Sequence, residues 1–203
     1  DCQRPDFTRR IAAQLKEARD RGASGIKLFK DFGLTYRNPD GSPLAIDDPR
    51  WDEIWRACGE LGLVVLMHTA DPSAFFRPID QHNERWEELH RRPEWSFSDP
   101  KFPRREQLLA ARNRVVSRHP KTTFIAAHMA YLSNDLGRFS KYLDAHQNVY
   151  PETAAVLAAA HAVANPVSFA IMSIIVVFLP LFSLEGLEGK LFIPVALTII
   201  FAL

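Results

Sequence analysis

The sequence predicts an α/β fold with parallel strands, arranged as a sheet or a barrel. Segments with helical periodicity alternate with strand-like segments along residues 7–150, which is the pattern of repeated strand–helix units. The run from Leu63 to Met67 is apolar at every position. Such a run is typical of a strand that is buried on both faces of a parallel sheet.

Four helices and four strands follow from this pattern. Helices are predicted where apolar residues recur at three- and four-residue spacing, and strands where short apolar runs follow a helix and a turn signal. The predicted helices cover residues 7–21, 52–62, 105–118 and 134–145, and the predicted strands lie near residues 26–30, 63–68, 123–128 and 148–151.

One long loop, residues 69–103, interrupts the alternation. It is rich in Pro, Trp and Phe and directly follows a predicted strand, which favours a functional loop over a linker. We expect the long loop to cover the strand ends, with Trp86 and either Phe75 or Phe76 as its apolar anchor.

The overall composition argues against several classes of function. The chain is 47% hydrophobic and 24% charged, with a formal net charge of +1, so we expect no nucleic-acid partner. The two cysteines, Cys2 and Cys58, are far apart in the sequence. This spacing favours neither a disulfide framework nor a thiolate metal site.

The main candidates for chemistry are two histidines that end predicted strands, His68 and His128. In a parallel barrel, the carboxyl ends of the strands face the active-site mouth, and neutral imidazole is a common ligand of divalent transition metals. The spacing is equally compatible with histidines that only cap their strands. Asp71, three residues after His68, is a candidate for holding a substrate or orienting the imidazole, although an N-cap role also fits its position.

Several ordered motifs in the first part of the chain resemble the amidohydrolase-related family, which comprises metal-dependent TIM-barrel hydrolases and nonoxidative decarboxylases. They lie in residues 22–34, 47–50, 68–72, 75–76, 83–86, 119–124 and 127–128. The resemblance implies a partial (β/α)8 TIM barrel, middle strands only, over residues 1–154. It also implies a small-molecule substrate and a divalent metal, zinc or manganese, with His68 as a metal ligand and His128 as either a metal ligand or a stabiliser of the transition state. His128 and, from its spacing to His68, Asp71 are the catalytic candidates.

The sequence departs from the family pattern at two places. Family members begin with a His-x-His pair on the first strand and supply an Asp after the eighth strand. This sequence has no His-x-His motif and no barrel-like segment after Tyr150. Because a catalytic zinc site normally has about three protein ligands, we predict weak metal binding and no catalytic activity for this chain alone.

The last part of the chain has a different character. No Asp, Glu, Lys or Arg occurs between Thr153 and Leu184. A helix from Val167 to Leu184 would be about 27 Å long, close to the roughly 30 Å of a membrane's hydrocarbon core; a buried core helix is the alternative. Segments in this part resemble heavy-metal efflux transporters of the resistance–nodulation–division superfamily; they are residues 164–169, 176–182, 184–190 and 194–198.

These two resemblances predict a chain of two unrelated parts. Residues 1–154 would be the amidohydrolase-like partial barrel, in the cytoplasm, and residues 155–203 a transmembrane-like transporter fragment. Inner-membrane association would then occur through residues 167–203. No Gly/Ser/Pro-rich linker separates the parts, so a chimeric reading frame is one hypothesis. A transporter fragment and a non-functional chimera are therefore the alternatives to the hydrolase or decarboxylase function.

Overall fold

A four-stranded parallel sheet forms the centre of the first part of the chain. The structure, a computed structural model, describes residues 2–153, 164, 167–169 and 171–173. The four strands lie side by side in chain order and every neighbouring pair is parallel. They are β1 (Gly25–Leu28), β2 (Val64–Met67), β3 (Phe124–Ala126) and β4 (Val149–Pro151). The predicted parallel α/β fold is confirmed, and the sheet fits part of a TIM barrel.

The four predicted helices lie close to their predicted bounds, and short helices occur in addition to them. In chain order they are α1 (Phe7–Asp20), α2 (Asp52–Glu60), α3 (Trp86–Arg91), α4 (Arg105–Arg118), the single turn α5 (Ala127–Ala130) and α6 (Leu136–Ala145); α3 and α5 are the additional short helices. The last helix begins at Leu136 rather than at residue 134. This happens because the Asp135 side chain accepts a hydrogen bond from the Arg138 N–H at 2.9 Å, which makes Asp135 the N-cap residue.

Two glycines allow the strands to start where they do. A Cβ atom on Gly25 would lie 2.4 Å from the carbonyl oxygen of Val64, so only glycine permits this approach of β1 to β2. Gly62 has a φ of +65° just after α2, the left-handed conformation that commonly ends a helix. The chain can therefore turn from α2 directly into β2.

The sheet is buried on one face only in the part of the chain that the structure describes. Val65 and Met67 are buried, whereas the alternate residues Val64 and Leu66 are partly exposed. Phe124 and Ala126 on β3 repeat this alternation. The predicted burial of β2 on both faces is therefore wrong for the described residues. A partly exposed second face is what the interior of an incomplete barrel presents.

The long loop folds into short helical segments rather than an extended connection. Phe75 is buried, and its carbonyl oxygen accepts a hydrogen bond of 2.7 Å from the Phe97 N–H. Trp86 is 42% exposed and stacks on His90, so the prediction that it anchors the loop is wrong. Leu89 takes that role because it is the residue of α3 that is fully buried.

The C-terminal part is described at only a few positions. The chain divides into two compact units, Asp1–Thr153 and Ala154–Leu203. The predicted spanning helix, residues 167–184, lies largely outside the described residues. Within the described ranges, none of the helices combines the length and the apolar character that crossing a membrane requires.

Candidate metal and catalytic site at the strand ends

His68 and His128 meet at one edge of the sheet. Met67 at the end of β2 pairs with Ala126 at the end of β3, so the residues that follow both strands leave the sheet on the same side. The two imidazole rings are 5.1 Å apart between centroids and nearly perpendicular, at 87°. The structure therefore brings together the two histidines selected from the sequence, while their chemical roles stay predictions.

Asp71 joins this cluster through an ion pair. Its Oδ2 atom lies 2.5 Å from Lys30 Nζ, and its Oδ1 atom lies 3.8 Å from His68 Nε2. Burial raises the pKa of Asp71, but the opposing effects of His68 and Lys30 are larger together, so the pKa lies below its ordinary value of 3.8. Asp71 is thus a buried carboxylate that stays charged.

The N-cap role that the sequence left open for Asp71 is wrong. The helical turn Ser73–Phe76 has Pro72 as its N-cap residue and no side-chain capping hydrogen bond. Asp71 instead points to the cluster, where its partner Lys30 also approaches the ring of Phe97 at 5.3 Å from the centroid. Phe97 belongs to the long loop, so the loop reaches the strand-end cluster as predicted.

Tyr131 is a member of the cluster that the sequence reasoning missed. Its hydroxyl oxygen lies 2.5 Å from His68 Nε2. Burial and the nearby charge of Asp71 raise the pKa of Tyr131 above its ordinary value of 10.0, so the hydroxyl keeps its proton. The protonated hydroxyl and the His68 ring therefore share a hydrogen bond, whose direction follows the tautomer of the imidazole.

The backbone that carries His128 and Tyr131 is left-handed. Four consecutive residues, His128, Met129, Ala130 and Tyr131, have φ values of 54°, 54°, 55° and 57°; we call them the left-handed turn. For residues other than glycine this conformation costs about 1–2 kcal/mol each. Such strain persists only where the surroundings impose it, and it clusters at functional sites.

Hydrogen bonds from two directions hold the left-handed turn. Glu152, just after β4, accepts the His128 N–H through its side chain at 3.1 Å and the Met129 N–H through its carbonyl oxygen at 2.7 Å. Two arginines of α4 donate to carbonyl oxygens of the turn. Arg112 donates to Ala130 at 2.8 Å, and Arg105 donates to Tyr131.

Only a weak sequence signal indicates this arrangement. Left-handed residues other than glycine are most often Asn, Asp or His, and of these the left-handed turn contains only His128. Arg112 falls in a helix with other basic residues, where an arginine is usually solvent-exposed. Its 1% exposure is visible only in the folded chain.

The imidazole of His128 stays neutral to a lower pH than usual. Burial is the main cause that lowers its pKa below 6.5, and the neighbouring His68 adds to the effect, while Glu152 opposes it. The Nδ1 atom of His128 lies 3.3 Å from Glu152 Oε2. That nitrogen is buried and forms no hydrogen bond within the described residues.

This donor set fits part of a divalent metal site. Two imidazoles that bind one tetrahedral zinc ion have ring centres about 5 Å apart, given Zn–N distances of about 2.0–2.1 Å, and the observed separation is 5.1 Å. Among the described residues, however, no three His, Cys, Asp or Glu side chains are grouped as a metal site. The described cluster therefore offers two candidate ligands, His68 and His128.

Comparisons with known proteins agree with the sequence motifs for the first part of the chain. A family model described as Amidohydrolase matches residues 2–176. No curated protein and no solved structure matches the chain. The family match continues past the predicted boundary at residues 154/155, and none of the three comparisons supports the transporter-like interpretation of residues 156–203.

Proposed function

The chain belongs to the amidohydrolase family, and we propose that His68 and His128 are metal ligands of a hydrolase-type site that acts on a small organic substrate. The observation that supports this proposal is the 5.1 Å separation of two imidazole rings from neighbouring strand ends. The family usually binds divalent metals. Zinc is the ion we propose, with manganese as the alternative, because imidazole nitrogen suits zinc whereas manganese prefers oxygen ligands.

The residues around the two histidines have separate tasks in this proposal. Asp71 stays charged next to His68 and Lys30, so it fixes the orientation of both side chains. His128 stays neutral because its pKa is lowered, which keeps a lone pair available for a metal or a proton. When bound, a divalent metal supplies positive charge that polarises a substrate oxygen and acidifies water.

Tyr131 supplies a hydrogen-bonding hydroxyl to the proposed site. This hydroxyl keeps its proton because burial raises its pKa, and it is hydrogen-bonded to Nε2 of His68. An ion on Nε2 would replace that hydrogen bond. The hydroxyl would then be free to donate a hydrogen bond to a substrate oxygen and so to orient the substrate.

Metal titration of the full chain tests the proposal. We expect zinc or manganese binding in calorimetry, and a loss of affinity of at least about tenfold for His68→Ala and for His128→Ala, since each removes a ligand. His82→Ala is the matched control, because His82 is exposed and its ring contacts the Gln81 side chain. Wild-type affinity in both ligand variants would contradict the proposal.

Turnover is measured on the same preparations. Small esters, amides and carboxylic acids are supplied with the metal, and release of acid, amine or carbon dioxide is followed. The sequence predicts no activity for this chain alone, so turnover that needs both the metal and His68 would show that this prediction is wrong.

Membrane association through residues 167–203 also stays a prediction, because these residues lie largely outside the described part of the chain.

A further inference from the structure

Arg112 is a buried cation whose hydrogen-bond and ring partners among the described residues are neutral. Its side chain is 1% exposed, and it donates to the Ala130 carbonyl oxygen at 2.8 Å and to the Asn113 side-chain oxygen at 3.0 and 3.1 Å. Its guanidinium carbon lies 4.6 Å from the ring centroid of Tyr142. Burial lowers its pKa below the ordinary value of 12.5. Burying an arginine without a carboxylate is costly, so a specific task for the charge is expected.

The contact with Ala130 identifies that task. Ala130 lies inside the left-handed turn, between His128 and Tyr131, and has a φ of +55°. A charge-assisted hydrogen bond is stronger than a neutral one, and here it acts on the carbonyl group of a residue whose Cβ disfavours the backbone conformation. Arg105, with an 11% exposed side chain, donates to the next carbonyl oxygen, that of Tyr131.

We propose that Arg112 is a positioning residue: its hydrogen bond to Ala130 holds the left-handed turn, and thereby sets the His128 imidazole and the Tyr131 hydroxyl against His68. This inference rests on the proposed metal site for its functional meaning. Without the hydrogen bond, the turn would relax toward a right-handed or extended backbone, and the rings of His68 and His128 would separate. Arg112 itself touches neither ring in the described contacts.

Two variants separate positioning from general stability. Arg112→Gln removes the charge and the fork, and Arg112→Lys keeps the charge alone. In zinc calorimetry of the full chain we expect Arg112→Gln to lose about 10- to 100-fold in affinity, the range found for residues that orient metal ligands. Arg112→Lys should lose less. Arg114→Gln is the matched control, because Arg114 lies on the same helix, pairs with Asp47 and is 60% exposed; it should bind zinc like the wild type.

A glycine rescue tests the strain directly. Glycine adopts a positive φ without a Cβ penalty, so Ala130→Gly should reduce the need for Arg112. We expect the double variant Arg112→Gln/Ala130→Gly to regain most of the lost zinc affinity. If the role of Arg112 lay outside the left-handed turn, this glycine would not restore the zinc affinity, even where the glycine restores some stability. If Arg112→Gln does not fold, Arg105→Gln and Arg112→Lys, each with and without Ala130→Gly, give the same comparison.

A metal-free measurement keeps the two proposals apart. The nuclear Overhauser contact between the His68 and His128 ring protons should be present in the wild type, weak in Arg112→Gln and restored in the double variant. If the wild type binds no metal but shows this pattern, the proposed function fails and the positioning role stands. A folded Arg112→Gln variant that keeps both the ring contact and the wild-type zinc affinity would overturn the positioning role.

Discussion

The ends of β2 and β3 carry the same kind of residue on very different backbones. After β2, His68 continues the chain without a positive φ, and its N–H donates to Leu28 on β1 at 3.1 Å. After β3, His128 begins a left-handed turn that Glu152, Arg105 and Arg112 hold through hydrogen bonds. Two equivalent positions in a sequence pattern can therefore require very different support from the rest of the fold.

The two strand ends are stabilised by different contacts. The β2 end uses local and sheet contacts, and its strain is small. The β3 end stores the cost of four left-handed residues, which hydrogen bonds from α4 and from Glu152, just after β4, offset. The effect of a substitution at the β3 end on stability should therefore change when Arg112 or Glu152 is also replaced. The effect of a substitution at the β2 end should not.

The largest expected effect concerns the strands themselves, which support both ends equally. Phe124 on β3 is fully buried and Met67 on β2 is 1% exposed. Truncation to alanine should lower the free energy of unfolding by about 3–5 kcal/mol for Phe124 and about 2–5 kcal/mol for Met67. Urea denaturation checks this, with the 58% exposed Tyr150 as the control; Tyr150→Ala should cost less than about 1 kcal/mol. If Phe124→Ala lowered the free energy of unfolding only slightly, β3 would not be part of the structure that supports both ends.

A second, intermediate effect concerns the charge at the β2 end. Asp71→Asn leaves Lys30 without its carboxylate partner and should lower the free energy of unfolding by about 1–3 kcal/mol at neutral pH. The pKa of Asp71 is lower in the folded chain than its ordinary 3.8, so the folded state binds fewer protons. The stabilisation is then fully present above pH 3.8 and is lost as the pH falls through the lower, folded pKa.

Thermal denaturation between pH 3 and 7 checks this dependence. The difference in midpoint between wild type and Asp71→Asn should be constant near neutral pH and should shrink at the acid end. A difference that grew as the pH fell would mean that Asp71 is not held as a charged group.

The smallest effect is the sharpest test of the difference between the two ends. Ala70 and Ala130 are both fully buried, and each lies two residues after its strand-end histidine. Ala70→Gly should destabilise the fold by about 1 kcal/mol through the greater freedom of the unfolded chain. Ala130→Gly should be neutral or stabilising by up to about 1 kcal/mol, because glycine relieves the left-handed strain. Equal losses in both variants, measured in urea, would argue against stored strain at the β3 end.

The difference between the ends also explains what the sequence could predict. The strands and the helices α1, α2 and α4 follow from local apolar periodicity, and the two strand-end histidines follow from where the apolar runs stop. Asp71 could be predicted because it lies three residues from His68. The sequence could not predict the left-handed turn, Tyr131 or Arg112, because their arrangement depends on contacts between α4, β4 and the end of β3. Trp86 was misassigned because an aromatic residue in a loop can equally lie on the outer side of a short helix.

Histidine nitrogen NMR during a zinc titration of the full chain tests most directly the claim that two dissimilar strand ends form one site. We predict that the imidazole nitrogen signals of His68 and His128 shift together and reach their end point at the same zinc concentration, while those of His82 and His90 stay in place. A shift of only one of the two strand-end histidines, or shifts that saturate at different zinc concentrations, would contradict the account.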